Sequence, residues 1–125
     1  MNFKPPLAAM KEGFVSLTKE DRVFGIVPTS GGQLSLIAQK TRGRHEHPTA
    51  IWGMVSARPV LRIACESRGP QLIVTDITMD DNHVDIRTLG DCMVAMARRW
   101  GNVLYENLDE RVDEAYRALA EASQR

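Results

Sequence analysis

The sequence lacks any long apolar run. No stretch approaches the roughly 18 consecutive apolar residues that a membrane-spanning helix needs. No signal-peptide pattern occupies the first residues. Both absences lead to the expectation of a cytoplasmic protein with no membrane partner. Cysteine is scarce, with only Cys65 and Cys92. Neither has a second cysteine at ligand spacing, which excludes a zinc-ribbon arrangement. Without an export signal a disulfide has no oxidising compartment, so both thiols are expected reduced and buried. Net charge is absent as well, because 16 Lys+Arg balance 16 Asp+Glu. That balance excludes a uniformly basic coat for nucleic acid and a uniformly acidic mimic of it.

Recognisable catalytic motifs are also missing. Ser30-Gly31-Gly32 is too short to cradle a phosphate and is not followed by Lys-Ser/Thr. Ser30 and Ser35 lack the strand–turn–helix setting of a nucleophile elbow. Neither cysteine has a base beside it in sequence. No acid, base and nucleophile converge on one motif, so an enzyme is not the leading expectation and no cofactor is expected.

What remains is an ordinary globular composition, 43% apolar and 26% charged over 125 residues, which suits one α+β domain spanning 1–125. The neutral total hides an asymmetry. Residues 1–70 hold ten Lys/Arg against five Asp/Glu, and residues 71–125 hold six against eleven. Such a division points either to a charged partner or to two halves of the molecule attracting each other.

The periodicity orders the elements. Leu7, Met10, Phe14 and Leu17 recur at helical spacing behind Pro5-Pro6, predicting a short N-terminal helix over Asn2–Thr18. Strands are predicted at Arg22–Val27, Gln33–Gln39, Ala50–Ala57, Val60–Glu66 and Gln71–Thr78, with a short sixth at His83–Arg87. Short turns between them favour an antiparallel, meander-like sheet of five or six strands. Thr88 with Asp91 reads as a capping box. Leu89, Met93, Met96, Trp100 and Leu104 follow as an apolar stripe, and Asn107 with Glu110 opens a second. Two C-terminal helices are therefore expected, packed on one face of the sheet.

Ala50–Ala57 is unusual because both of its faces are apolar. Ile51, Gly53 and Val55 point one way, and Trp52 and Met54 the other. An antiparallel strand with one wet face alternates instead. The second face is therefore either covered, the N-terminal helix being one cover, or turned toward a partner.

The loop at 40–48 gathers Lys40, Arg42, Arg44, His45 and His47 around Gly43. Its arginines suit phosphates or an acidic protein surface. His45 and His47 share a side if the loop is extended, but two imidazoles make half a transition-metal site. The alternative is a solvated hairpin tip. Asp76, Asp80, Asp81 and Asp85 surround a turn without calcium-loop spacing, and Asp is a common turn residue. Arg98-Arg99-Trp100 does not supply the basic face of a DNA-reading helix.

The leading expectation is a small, non-enzymatic binding or regulatory protein, acting through protein–protein contact as a homo-oligomer. Its contact residues are expected to be Arg42, Arg44, His45 and His47 on the loop, with Trp52, Met54 and Arg62 on the open sheet face. Aromatic, Met and Arg side chains are the types enriched in interface cores. Two alternatives stand beside it. One is a nucleic-acid or phosphate-ligand binder using loop 40–48. The other is a small metal-assisted hydrolase built on His45, His47 and an aspartate.

Overall fold

In the computed structural model the chain forms a six-stranded sheet in the order β1-β2-β3-β4-β5-β6. Residues 22–29, 31–39, 47–106, 113–115 and 117 are described. Strands β1 (Arg22–Thr29), β2 (Gly32–Gln39), β3 (Ala50–Val55), β4 (Arg58–Arg68) and β5 (Gln71–Met79) form an antiparallel meander. Helix α1 (Ile86–Trp100) follows, and β6 (Val103–Tyr105) returns beside β5 in parallel.

Tight links enforce the meander. Val55 pairs with Arg58 and Arg68 with Gln71, which leaves two residues for each turn. The second link uses Gly69, at φ 60°, and Pro70; glycine accepts that conformation without a Cβ clash. The first uses Ser56 and Ala57, at φ 49° and 64°. Positive φ at both central residues is the type I′ geometry, one of the two turns whose twist matches that of the flanking strands. The expected strand boundary at Ala57 is thus replaced by a turn at 56–57.

The sheet is mixed, not purely antiparallel as expected. After β5 the chain crosses over through α1, so the next strand enters in the same direction as β5. The sixth strand expected at His83–Arg87 is not formed. Residues 81–83 make a turn, in which the Asp80 carboxylate accepts from the Asn82 N–H, and α1 begins at Ile86. Asp85 is the N-cap, with its side chain accepting from the Thr88 N–H at 2.8 Å. The capping residue therefore lies three positions before the expected Thr88. Gly101, at φ 77°, ends α1 and donates to the Ala97 carbonyl. Leu104 accordingly leaves the helical stripe and enters β6.

Residues 113–115 and 117 are helical, and Ala115 is buried in the main core. The helix expected over Asn2–Thr18 and the start of the last helix at Asn107 lie outside the described residues.

The core sits between the inner face of the sheet and α1. Leu34, Leu36, Ile51, Leu61, Ile63 and Val74 meet Leu89, Cys92, Met93 and Met96 of the helix. The helical set recurs every three or four residues, which keeps it on one stripe. Each such side chain contributes about 1.5–3 kcal/mol on burial. At one edge β1 comes close to α1: a Cβ built on Gly25 would meet the Ala95 Cβ at 3.4 Å, in van der Waals contact. Phe24 meets Trp100 edge-to-face beside it, with ring centroids 4.8 Å apart.

Candidate functional site: the outer face of the sheet

The strand register defines what the face opposite α1 presents. Val23 and Ile26 of β1 stand beside Ile37 and Ser35 of β2. Ile37 lies opposite Trp52, and Ser35 opposite Met54. Trp52 faces Arg62 of β4, which faces Thr78 of β5; Ala64 faces Asp76. Glu66 faces Ile73, which lies beside Leu104 of β6. Strand alternation assigns all these side chains to one side.

A β-bulge changes the pattern on β1. The ladder shifts between Val23 and Gly25, so Phe24 is an extra residue that packs inward. Val23 and Ile26, three apart in sequence, therefore share the outer face. They are 52% and 60% exposed. Leu104, on the same face at the opposite edge, is 47% exposed.

The centre of this face is covered, which is the first of the two alternatives that the doubly apolar strand left open. Trp52 is 1% exposed and Met54 5%, and with Ala50 and the half-buried Ile37 they form a second apolar cluster. Neither side chain is exposed in this chain. Polar partners fix the indole from two sides. Its Nε1–H donates to Gln39 Oε1 at 2.9 Å, and the Arg62 guanidinium carbon lies 5.7 Å from the ring centroid. A desolvated cation over an indole is worth about 0.5–2 kcal/mol. Arg62 itself is half-buried and has no ion pair among the described residues.

Of the loop residues, Arg42, Arg44 and His45 lie outside the described residues. His47 is described, and its Nδ1 lies 2.7 Å from Ser67 Oγ. Here a base and a hydroxyl nucleophile meet, which the sequence does not reveal because they lie 20 residues apart. Ser67 Oγ also lies 3.3 Å from the Gly69 carbonyl, so its hydroxyl has two acceptors within reach, the carbonyl and the imidazole. No carboxylate orients the other ring nitrogen among the described residues. The pair braces the β4–β5 hairpin, beside the two-pronged Arg68–Glu106 contact at 2.7 and 2.9 Å and the Arg68–Glu66 ion pair.

The acidic positions serve the turn and the cap. Asp80 Oδ2 lies 3.2 Å from His83 Nδ1, Asp80 Oδ1 accepts from Asn82, and Asp85 caps α1. No group of three His, Cys, Asp or Glu among the described residues is placed to hold a metal ion. A cleft of about 350 Å³ opens between the end of β1 and the start of α1, lined by Pro28, Thr29, Asp85, Arg87, Thr88 and Asp91. Cys65 and Cys92 are free and buried, and burial pushes each thiol up to about 12. A buried thiol with a raised pKa holds little thiolate, the nucleophilic form. No helix among the described residues is long and apolar enough to cross a membrane.

No family model matches this chain, and no curated protein and no solved structure matches it either.

Proposed function

We propose that this chain is a small binding protein that acts by protein–protein contact through the outer face of its sheet. One observation carries the reading. Val23, Ile26 and Leu104 are the large apolar side chains that stand exposed among the described residues, and all three belong to that face. Single exposed apolar residues scattered over a surface are normal. Val23 and Ile26 stand together at the β1 edge of the side away from the helix, with Leu104 at the opposite edge, and the exposed β1 pair supports a contact surface there. Acidic and basic groups at Glu66, Asp76 and Arg62 give that surface a polar component, as interfaces have.

The contact is made by side chains and not by strand addition. β1 is the longer free edge, at eight residues against three for β6. Its bulge and Pro28 interrupt the row of donors that a pairing strand would need. The buried Trp52–Met54 cluster serves as the rigid floor beside the exposed residues.

The test is capture from a lysate with tagged wild-type chain and a Val23→Lys/Ile26→Lys variant, each with and without nuclease. Both substitutions lie at exposed positions, so the unfolding free energy should change by less than about 0.5 kcal/mol. A stoichiometric protein that survives nuclease and is lost from the variant supports the reading. Retention that disappears with nuclease, or an identical set of proteins on both baits, overturns it.

A further inference from the structure

Trp52 is closed to solvent on a face over which no helix or strand lies among the described residues. Helix α1 packs on the opposite face, and β6 extends the sheet within its own plane. Ile37 and Arg62 flank the indole from the neighbouring strands. Such neighbours close the sides of a ring and leave its top open, so burial to 1% needs a further layer. The Arg62 guanidinium over the ring is too small to be that layer, because Ala50, Met54 and Thr78 on the same face are buried as well.

We propose that the occupant of the centre of this face is the chain's own N-terminal segment, residues 2–18, laid over Trp52 and Met54 with Leu7, Met10, Phe14 and Leu17 turned toward the sheet. Position and length both allow it. The register puts Val23, Ile37, Trp52, Arg62 and Thr78 in one row across β1 to β5. The segment therefore joins β1 at the level of Trp52 and two strands away from it, a distance of about 10 Å. A helix over residues 2–18 would be about 25 Å long, enough to cross β2, β3 and β4.

Composition singles out this segment. Residues 40–46 read Lys-Thr-Arg-Gly-Arg-His-Glu and hold no large apolar side chain. Leu108, Val112, Ala115 and Leu119 repeat at helical spacing, and Ala115 is buried in the main core, which commits that stripe to the inner face. Residues 2–18 bring four large apolar side chains at the same spacing. A short helix with such a stripe is marginal in water and needs a surface to dock on. Ala50, Trp52 and Met54, with Ile37 beside them, form one. This cluster shares no residue with the main core and lies across the sheet from it, so loosening the segment exposes the first without opening the second. Val23 and Ile26 stay exposed at the β1 edge, so the segment leaves the proposed partner surface open.

Photochemical cross-linking of the full chain, with benzoylphenylalanine in place of Phe14, tests the proposal. An equal mixture of isotope-labelled and unlabelled chain separates links within one chain from links between copies. The expected product is an intrachain link from position 14 to the tryptic peptide that holds Trp52 and Met54. A link to α1 instead, a link between labelled and unlabelled chains, or no link to that peptide overturns the proposal. A second full-chain variant reads the indole directly. Met10→Asp/Phe14→Asp should move tryptophan emission to longer wavelength and raise its quenching by acrylamide severalfold. Trp100 belongs to the main core, against Phe24, and contributes equally to both proteins. The far-ultraviolet circular dichroism of sheet and α1 should be retained. Unchanged tryptophan emission overturns the proposal, as does loss of the far-ultraviolet signal. Either failure leaves the reading of the β1 edge standing, because capture through Val23 and Ile26 is measured separately.

Discussion

Gly53 of β3 lies opposite Leu61 of β4, and a Cβ built on that glycine would stand 2.8 Å from the Leu61 Cβ. The same atom would lie 3.0 Å from Leu34 Cδ2. The leucine methyl on β2 can rotate, but the Leu61 Cβ is fixed to its strand. A methyl group here therefore forces the two strands apart in the middle of the core. Gly53→Ala should lower stability by about 1–3 kcal/mol, the usual cost of overpacking. Urea unfolding followed by tryptophan fluorescence measures it. A midpoint equal to that of the wild type would mean that β3 and β4 have slack at this level.

The Ser56-Ala57 link carries strain that a different turn sequence removes. Both residues have positive φ, where an L side chain costs about 1–2 kcal/mol relative to its ordinary conformations. Ala57→Gly removes the Cβ clash but adds freedom to the unfolded chain, leaving an expected gain of about 0.5–1 kcal/mol. Gly69→Ala, at φ 60° in the next hairpin, should lose about 1–2 kcal/mol for the converse reason. The two urea midpoints should move in opposite directions with the slope unchanged. Shifts of the same sign would show that space around the turns, and not backbone conformation, controls these positions.

That hairpin also explains what the sequence made legible. Alternation identified β1 to β5, because strands with one face on a core repeat every two residues. It left the β3–β4 turn hidden, because Ser-Ala carries none of the Gly or Asn signature that such turns ordinarily show. The period of α1 was readable from Leu89 to Trp100, but its beginning and end depended on Asp85 and Gly101, single residues whose roles are set by backbone geometry. Leu104 continued the helical stripe by spacing alone, and only the positive φ of Gly101 diverts it into a parallel strand. On the outer face, the apolar character of Trp52 and Met54 was visible while their burial was not. Burial is a property of what lies across a face, and a strand's own sequence does not contain it. The co-facial pair Val23 and Ile26 was invisible for another reason: simple alternation places residues three apart on opposite sides, and only the bulge at Phe24 brings them together.

The two thiols should be silent in the folded protein. Burial is the first cause of the raised pKa of both, reaching about 12 in each case. At Cys65 the nearby Arg62 charge opposes the shift, whereas at Cys92 Asp91 adds to it. At about pH 8 the thiolate fraction is then on the order of one in ten thousand. Ellman's reagent at that pH should give no fast phase with native protein and two equivalents in denaturant. As urea is raised toward the transition, Cys65 should be modified first, since it is 9% exposed and Cys92 fully buried. A rapidly reacting native thiol would contradict the packing of α1 on the inner face.

Asp85 ties the stability of α1 to pH. Its carboxyl is held below the usual aspartate range, chiefly because it accepts the Thr88 N–H, with the neighbouring Arg87 acting in the same direction. A group whose pKa is lower folded than unfolded stabilises the fold fully above its unfolded value, about 3.9 for aspartate. That stabilisation disappears as pH falls through the folded value. Asp85→Ala should therefore cost about 1 kcal/mol at neutral pH, the ordinary cost of losing an N-cap. The gap between wild type and this variant should narrow as the solution is acidified below about pH 3.9. Asp85→Asn caps without titrating, so it should match the wild type near neutrality and retain its advantage over alanine in acid. Urea midpoints for the three proteins between about pH 7 and pH 2.5 decide the matter. A wild-type advantage that stays constant through the acid range would mean that the cap does not depend on the ionised carboxylate, and that the start of α1 is held by packing instead.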